Sequence, residues 1–178
     1  MTTPRPRTEP LTELDSRYSS PGAAQTAWAT ARDRLAAAGT YALSTVRPDG
    51  RPHVTPVIGV WFDGALWFCT GHQERKARNL VGNRECVLTV GSSAEEGLDV
   101  VVEGEALRER DHRVLRQVAD AYLEKYGPTW HFDVRDGDFH SEGGGPAAVF
   151  RVRPRTAFGF VKGEPYGQTR WSFTAPSD

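Results

Sequence analysis

The sequence predicts a mainly β fold, a small β-barrel with flanking helices, built as one domain. Three observations carry that reading. Short segments of alternating or β-branched apolar residues recur along the 178-residue chain and are bounded by turn signals such as Pro48-Asp49-Gly50 and Asp63-Gly64. Helical segments with clear starts and stops are inserted among them. Apolar content of 38% with 25% charged residues suits a soluble chain able to build a single substantial core.

Taken in order, residues 1–19 are rich in Pro, Thr and charge and read as a mobile N-terminal arm. Residues 20–178 then form the single domain. Ser20-Pro21 offers a cap and a proline for a first helical turn. Ala23 to Ala38 reads as a helix, with Trp28 and Leu35 at helical spacing and Gly39 as its stop. Tyr41 to Val46 alternates as a strand. Arg51 to Trp61 returns as its partner, and Pro52 and Pro56 place that strand at an edge or a kink, because proline cannot donate to a central ladder.

Ala65 to Thr70, Cys86 to Val90 and Leu98 to Leu107 continue the strands, with Gly104 marking a bulge or a close approach. A short helix spans Arg75 to Val81. Asp111 caps a longer one whose apolar stripe is Val114, Leu115, Val118, Tyr122 and Leu123, and Gly127-Pro128 ends it. Residues 129–145 are polar and Gly-rich and read as a long loop or lid. Strands return at Ala147 to Val152, Thr156 to Val161 and Gln168 to Phe173.

Charge narrows the function. Lys and Arg number 22 against 23 Asp and Glu, a net charge of −1, so no broad cationic field exists and nucleic acid is not an expected partner. No window approaches the ~18 apolar residues of a membrane span, and the first twenty residues lack the hydrophobic run of a secretory signal. Cys69 and Cys86 fall in apolar strands and read as reduced core residues of a cytoplasmic protein.

Against that neutral background, one segment concentrates cations. A strand ending in Thr70-Gly71 leads into a helix that starts with Arg75, Lys76 and Arg78. A strand end, free backbone N–H groups and clustered Arg and Lys make a receptacle for a phosphate group. The alternative is that the three cations are the solvated face of a connecting helix.

The order of these features resembles the pyridoxamine 5′-phosphate oxidase-like family, the split β-barrel flavin-binding proteins. The likeness rests on Tyr41 through Val57, on Thr70 with Arg75-Lys76-Ala77-Arg78-Asn79-Leu80, on Val101 through Ala106 and on Gln168 through Phe173. It implies a homodimer with two cofactor sites built across the subunit interface. It implies that His53, Val54, Thr55, Pro56 and Val57 run along a flavin ring, and that Thr70, Arg75 and Lys76 contact its phosphate. Asn79, one helical turn beyond Arg75, is expected to face the same site. Arg170 and Trp171 are expected to shape the substrate side, with Trp171 stacking on the cofactor.

The chain also departs from the oxidase of vitamin B6 metabolism. The ring-contacting strand reads Leu98-Asp99-Val100, and the terminal pattern is reduced to Gln168-Thr169-Arg170-Trp171, which argues against pyridoxamine phosphate as substrate. High Arg, Ala, Gly and Pro with a single Met resembles proteins of GC-rich bacteria, whose relatives of this type look like users of the deazaflavin F420. Arg78, Lys162 and Arg170 are available for that cofactor's phosphodiester and polyglutamate tail, whereas FMN needs only a compact phosphate pocket. The resemblance thus implies an FMN- or F420-dependent oxidoreductase acting on a small organic molecule. The alternative is a non-catalytic flavin- or haem-binding protein. No acid or base is nominated as catalytic.

Other patterns carry less. Cys69 and His72 form a C-x-x-H pair with no second pair at matching spacing, so zinc is not expected. His131, Asp133, Asp136, Asp138, His140 and Glu142 crowd one segment, which reads as a solvated lid over the substrate pocket. Glu103 and Glu105 read as outward-facing strand carboxylates.

Overall fold

The computed structural model describes residues 9–174. The elements, in chain order, are β1 (Leu11–Leu14), α1 (Trp28–Ala37), β2 (Tyr41–Val46), β3 (Pro52–Val57), β4 (Val60–Phe62), β5 (Ala65–Gly71), α2 (Arg75–Gly82), β6 (Glu85–Val90), β7 (Gly97–Glu109), α3 (His112–Tyr126), β8 (Asp133–Arg135), β9 (Asp138–His140), β10 (Ala147–Val152), β11 (Thr156–Lys162) and β12 (Gly167–Ser172). The strand ladders are antiparallel and join into a single barrel-like sheet, the mainly β architecture expected. No helix among the described residues is long and apolar enough to cross a membrane.

The long strand β7 organises the sheet. Its first half pairs with β11 on one side and β6 on the other, and its last residues, Ala106 to Glu109, switch to β10. Gly104 sits at the switch. A Cβ there would lie 2.5 Å from the Arg153 carbonyl oxygen, so only glycine lets the β10–β11 connection pass this close. From β7 the sheet continues through β6 and β2 to β3, which pairs with β2 alone. The edge position expected from Pro52 and Pro56 is therefore the one observed.

β5 explains why its sequence is apolar without alternation. Leu66 and Phe68 face the barrel interior with Leu43, Leu88, Val102, Phe150 and Val152. Ala65 and Trp67 face the other way, into a second core beneath α3 formed by Leu115, Val118, Tyr122, Phe132, Phe139 and Val149. A strand covered on both faces has no solvent side on which to alternate. Asp111 caps α3 as expected, its Oδ1 accepting from Arg113 N and Val114 N at 2.8 and 3.1 Å. Leu123, expected in the apolar stripe, stays 37% exposed; Ala119 takes the buried place instead.

Four expectations are corrected. Residues 11–14 of the expected arm form β1, an edge strand on β12, with Asp15 N–H donating to Gln168 O at 2.8 Å; the arm's first eight residues lie outside the described ones. The first helix begins at Trp28, not Ala23, because 20–27 is pinned to the β12 end: Ser20 N–H donates to Tyr166 O and Thr26 N–H to Thr169 Oγ1, each at 2.9 Å. The Arg51–Trp61 strand is two strands, broken where Tyr126 and Lys125 take up the backbone of Gly59. Finally, much of 129–145 is a hairpin, not a loop. Asp136 and Gly137, with φ of 54° and 76°, turn β8 into β9, and Phe132 and Phe139 stack at 4.7 Å under α3. Residues 131–132 and 141–145 remain irregular.

Candidate cofactor site

Strand alternation and one helical turn assemble the site. Thr70 lies two residues beyond Phe68 on the interior face of β5, and it is buried at the barrel end. The chain then turns at Gly71 to Glu74 and starts α2. Successive residues of that first turn meet opposite surroundings. Arg75 is exposed, and its guanidinium has no hydrogen-bond or ion-pair partner among the described residues. Lys76 is buried, only 8% exposed, and its ammonium pairs with Glu74 Oε2. The other Glu74 oxygen, Oε1, accepts Gly71 N–H at 2.9 Å. Burial alone would push the Glu74 carboxyl up, but the bonds from Lys76 and Gly71 outweigh it and hold the group below the ordinary glutamate value.

The β2–β3 hairpin brings its own groups alongside. His53 is half-buried on the edge strand. Its Nδ1 lies 3.4 Å from Thr45 Oγ1, and that hydroxyl in turn accepts Asn79 Nδ2 at 2.9 Å. Burial lowers the His53 pKa, and the fields of Arg47, Lys76 and Arg75 lower it further, so the ring is neutral at neutral pH. One imidazole thus feels three cations from two separated segments of chain. Of its neighbours, Val54 is 60% exposed and Pro56 exposed, Thr55 is half-buried, and Val57 is a core residue. Two open grooves adjoin this region. One, of about 610 Å³, is lined by Gly71 to Glu74 and by Gly145 and Pro146. The other, of about 340 Å³, runs along Ser44, Thr45, Val46 and Pro52 and faces Cys86, Glu103 and Arg155.

With that geometry in place, comparison with known proteins decides the family. The profile described as pyridoxamine 5′-phosphate oxidase matches residues 27–160. The chain belongs to the pyridoxamine 5′-phosphate oxidase-like family. Among solved structures, an F420 reductase aligns at 22% identity with a TM-score of 0.52, covering 71% of this chain and 94% of that one. The haem storage protein HutZ from Vibrio cholerae aligns at 23% and 0.56, covering 74% and 89%. A NimC/NimA family protein from Clostridium acetobutylicum aligns at 17% and 0.55, covering 79% and 90%. At such identities these likenesses establish the split-barrel fold alone. No curated protein matches the chain.

In this member of the pyridoxamine 5′-phosphate oxidase-like family, two of the expected site residues take other roles. Trp171 is fully buried: Nε1 donates to Thr26 O at 3.1 Å, and the ring meets Trp28 edge-on at 5.4 Å. Gly159 makes room for it, since a Cβ there would lie 2.4 Å from the Trp171 ring. Trp171 is therefore a core pillar and not a cofactor platform. Asn79, at 2% exposure, is a buried strut between α2 and β2 whose Oδ1 has no partner among the described residues. Arg170 is exposed on the opposite face of β12 from Trp171. Its strand stands four strand steps along the sheet from β2.

The additional cations are partly engaged. Lys162 Nζ lies 2.9 Å from Asp99 Oδ2, and Arg78 donates to Gln73 Oε1 at 3.0 Å. His72 pairs with Asp138 at 2.9 Å, and Asp138 also holds Arg108, which ties the β8–β9 hairpin to the loop before α2. Sequence reasoning missed Glu74 and Arg47. The signal for Glu74 was its place directly before Arg75-Lys76; Arg47 had none beyond following a strand toward a turn.

Proposed function

We propose that the chain binds a phosphorylated flavin or deazaflavin, FMN or F420, and acts as an oxidoreductase on a small organic substrate. The observation that carries this is the Arg75 guanidinium, without a partner among the described residues and set beside Lys76 and Arg47 around a neutral His53 on an edge strand. An exposed arginine with no acid to satisfy it has both prongs of its fork free for phosphate oxygens. Thr70, Arg75 and Lys76 hold the phosphate, and His53 to Val57 offer the ring a strand edge without a second neighbour. The bound group supplies the hydride or electron chemistry. The protein's residues bind it, orient it and supply a neutral imidazole at its edge.

The reading includes a homodimer, in which Arg170 of a second copy would shape the substrate side. The cytoplasm is the matching compartment for two unpaired cysteines. The F420 reductase among the structural neighbours supports a deazaflavin, and the family supports either cofactor. Titration with FMN and F420 side by side tests the proposal: at least one binds in the micromolar range or tighter, and Arg75→Ala weakens that binding. A protein that binds neither, or that carries a haem Soret band instead, refutes it.

A further inference from the structure

An acid stands inside the cation cluster. Glu74 holds both Gly71 N–H and the buried Lys76 ammonium. Lys76 has no other salt-bridge partner among the described residues. We propose, resting on the cofactor reading above, that Glu74 is a specificity residue that makes the receptacle prefer a singly charged phosphodiester, as in F420, to a doubly charged phosphate monoester, as in FMN.

Two arguments point the same way. The first is charge. Glu74 offsets the charge of Lys76, so of this neighbouring pair only Arg75 meets a ligand without a carboxylate partner among the described residues. A monoester brings nearly two negative charges where a diester brings one, and its extra charge faces the Glu74 carboxylate at short range. For a separation on the order of 5–6 Å and an effective dielectric between protein surface and water, each unit of like charge costs about tenfold in affinity. Glu74 does not escape by protonation, since its two partners hold it ionised at neutral pH. The second argument is donor count. A monoester presents three terminal oxygens and a diester two. Glu74 already takes the Gly71 N–H and one Lys76 donor, which leaves fewer donors for a third oxygen, while the Arg75 fork supplies the two parallel ones that a diester uses.

The experiment titrates FMN and F420 into the wild-type protein, Glu74→Gln, Glu74→Asp and Arg75→Ala at pH 8, where the FMN phosphate is a dianion. The wild type is expected to bind F420 more tightly. Glu74→Gln tightens FMN about tenfold more than it tightens F420, while Glu74→Asp keeps the wild-type preference. Repeating the FMN titration at pH 5, where the phosphate is mostly singly charged, shrinks the Glu74→Gln gain. Equal gains for both ligands, an FMN gain undiminished at pH 5, or a wild type that prefers FMN overturns the inference. If Arg75→Ala weakens both ligands while Glu74→Gln does not separate them, only the role of Glu74 falls; if Arg75→Ala changes neither, the site itself is wrong. Unliganded melting temperatures of all four proteins show whether a variant has lost its fold instead of its selectivity.

Discussion

The first turn of α2 and the end of β12 look alike in the sequence and behave oppositely in the structure. Each presents an arginine next to a second residue suited to a cofactor, Arg75-Lys76 in one case and Arg170-Trp171 in the other. On a helix, neighbours are about 100° apart, so one can be buried and the other exposed while both stay at one end of the element. On a strand, neighbours point to opposite faces. Lys76 and Arg75 therefore both sit at the start of α2, one buried and one exposed, whereas Trp171 goes into the core and Arg170 goes out to solvent. Adjacency in sequence means a shared site only where the local geometry permits it.

Two substitutions break this comparison in opposite directions. Trp171→Ala should cost the most, about 3–5 kcal/mol of folding stability, because it empties a site closed by Trp28 and Gly159. Chemical denaturation measures it, and a loss under about 1 kcal/mol would show that the ring is not a pillar. Arg75→Ala should leave stability within about 0.5 kcal/mol, since the side chain is exposed and unpaired. It should lower cofactor affinity by about tenfold to a hundredfold, the range for losing a charge-assisted hydrogen bond. A stability loss from Arg75→Ala comparable to that from Trp171→Ala would erase the distinction between the two regions.

Next in size is Asn79→Ala, which removes the 2.9 Å bond to Thr45 that joins α2 to the hairpin carrying His53. About 1 kcal/mol of stability should go. The loss is moderated because the substitution also removes an oxygen buried without a partner. Cofactor affinity should fall less than with Arg75→Ala, since Asn79 acts through Thr45 and His53. An Asn79→Ala variant that binds cofactor worse than Arg75→Ala would return Asn79 to direct contact.

The strands were legible where local chemistry decides the outcome. Pro-Asp-Gly and Asp-Gly turns, the Asp111 cap and the prolines of the edge strand all act over a few residues, and each was placed correctly. What failed depends on contacts distant in sequence. Leu11 to Leu14 are a strand only because β12 offers an edge, and Ala23 to Ala27 are not helical because Thr26 is bonded to Thr169. The 129–145 hairpin hides its few apolar residues, Phe132 and Phe139, in a polar stretch whose purpose emerges only beneath α3. At the site, the cations were readable as a cluster, yet nothing local showed that Glu74 would claim Lys76 and leave Arg75 free.

The smallest expected effect sharpens the same contrast between a buried and an exposed cation. Lys125, half-buried, donates to Gly59 O at 2.9 Å and to Tyr41 Oη at 3.0 Å, and it has no carboxylate partner among the described residues. Burial lowers its pKa from 10.5 to about 8. The folded state therefore binds this proton less tightly than the unfolded chain, and stability from this group rises as pH climbs from about 8 toward 10.5. Below about 8 both states are protonated, and the folded one bears the full cost of the buried charge. The thiols of Cys69 and Cys86, raised by burial to about 11 and about 12, act in the opposite sense above pH 9. Lys125→Met isolates the amine from them, because those groups are common to both proteins. The melting temperature of the wild type should gain on that of Lys125→Met between pH 7.5 and 9.5. A gap that stays constant with pH would mean that the amine is as well solvated in the fold as the exposed Arg75.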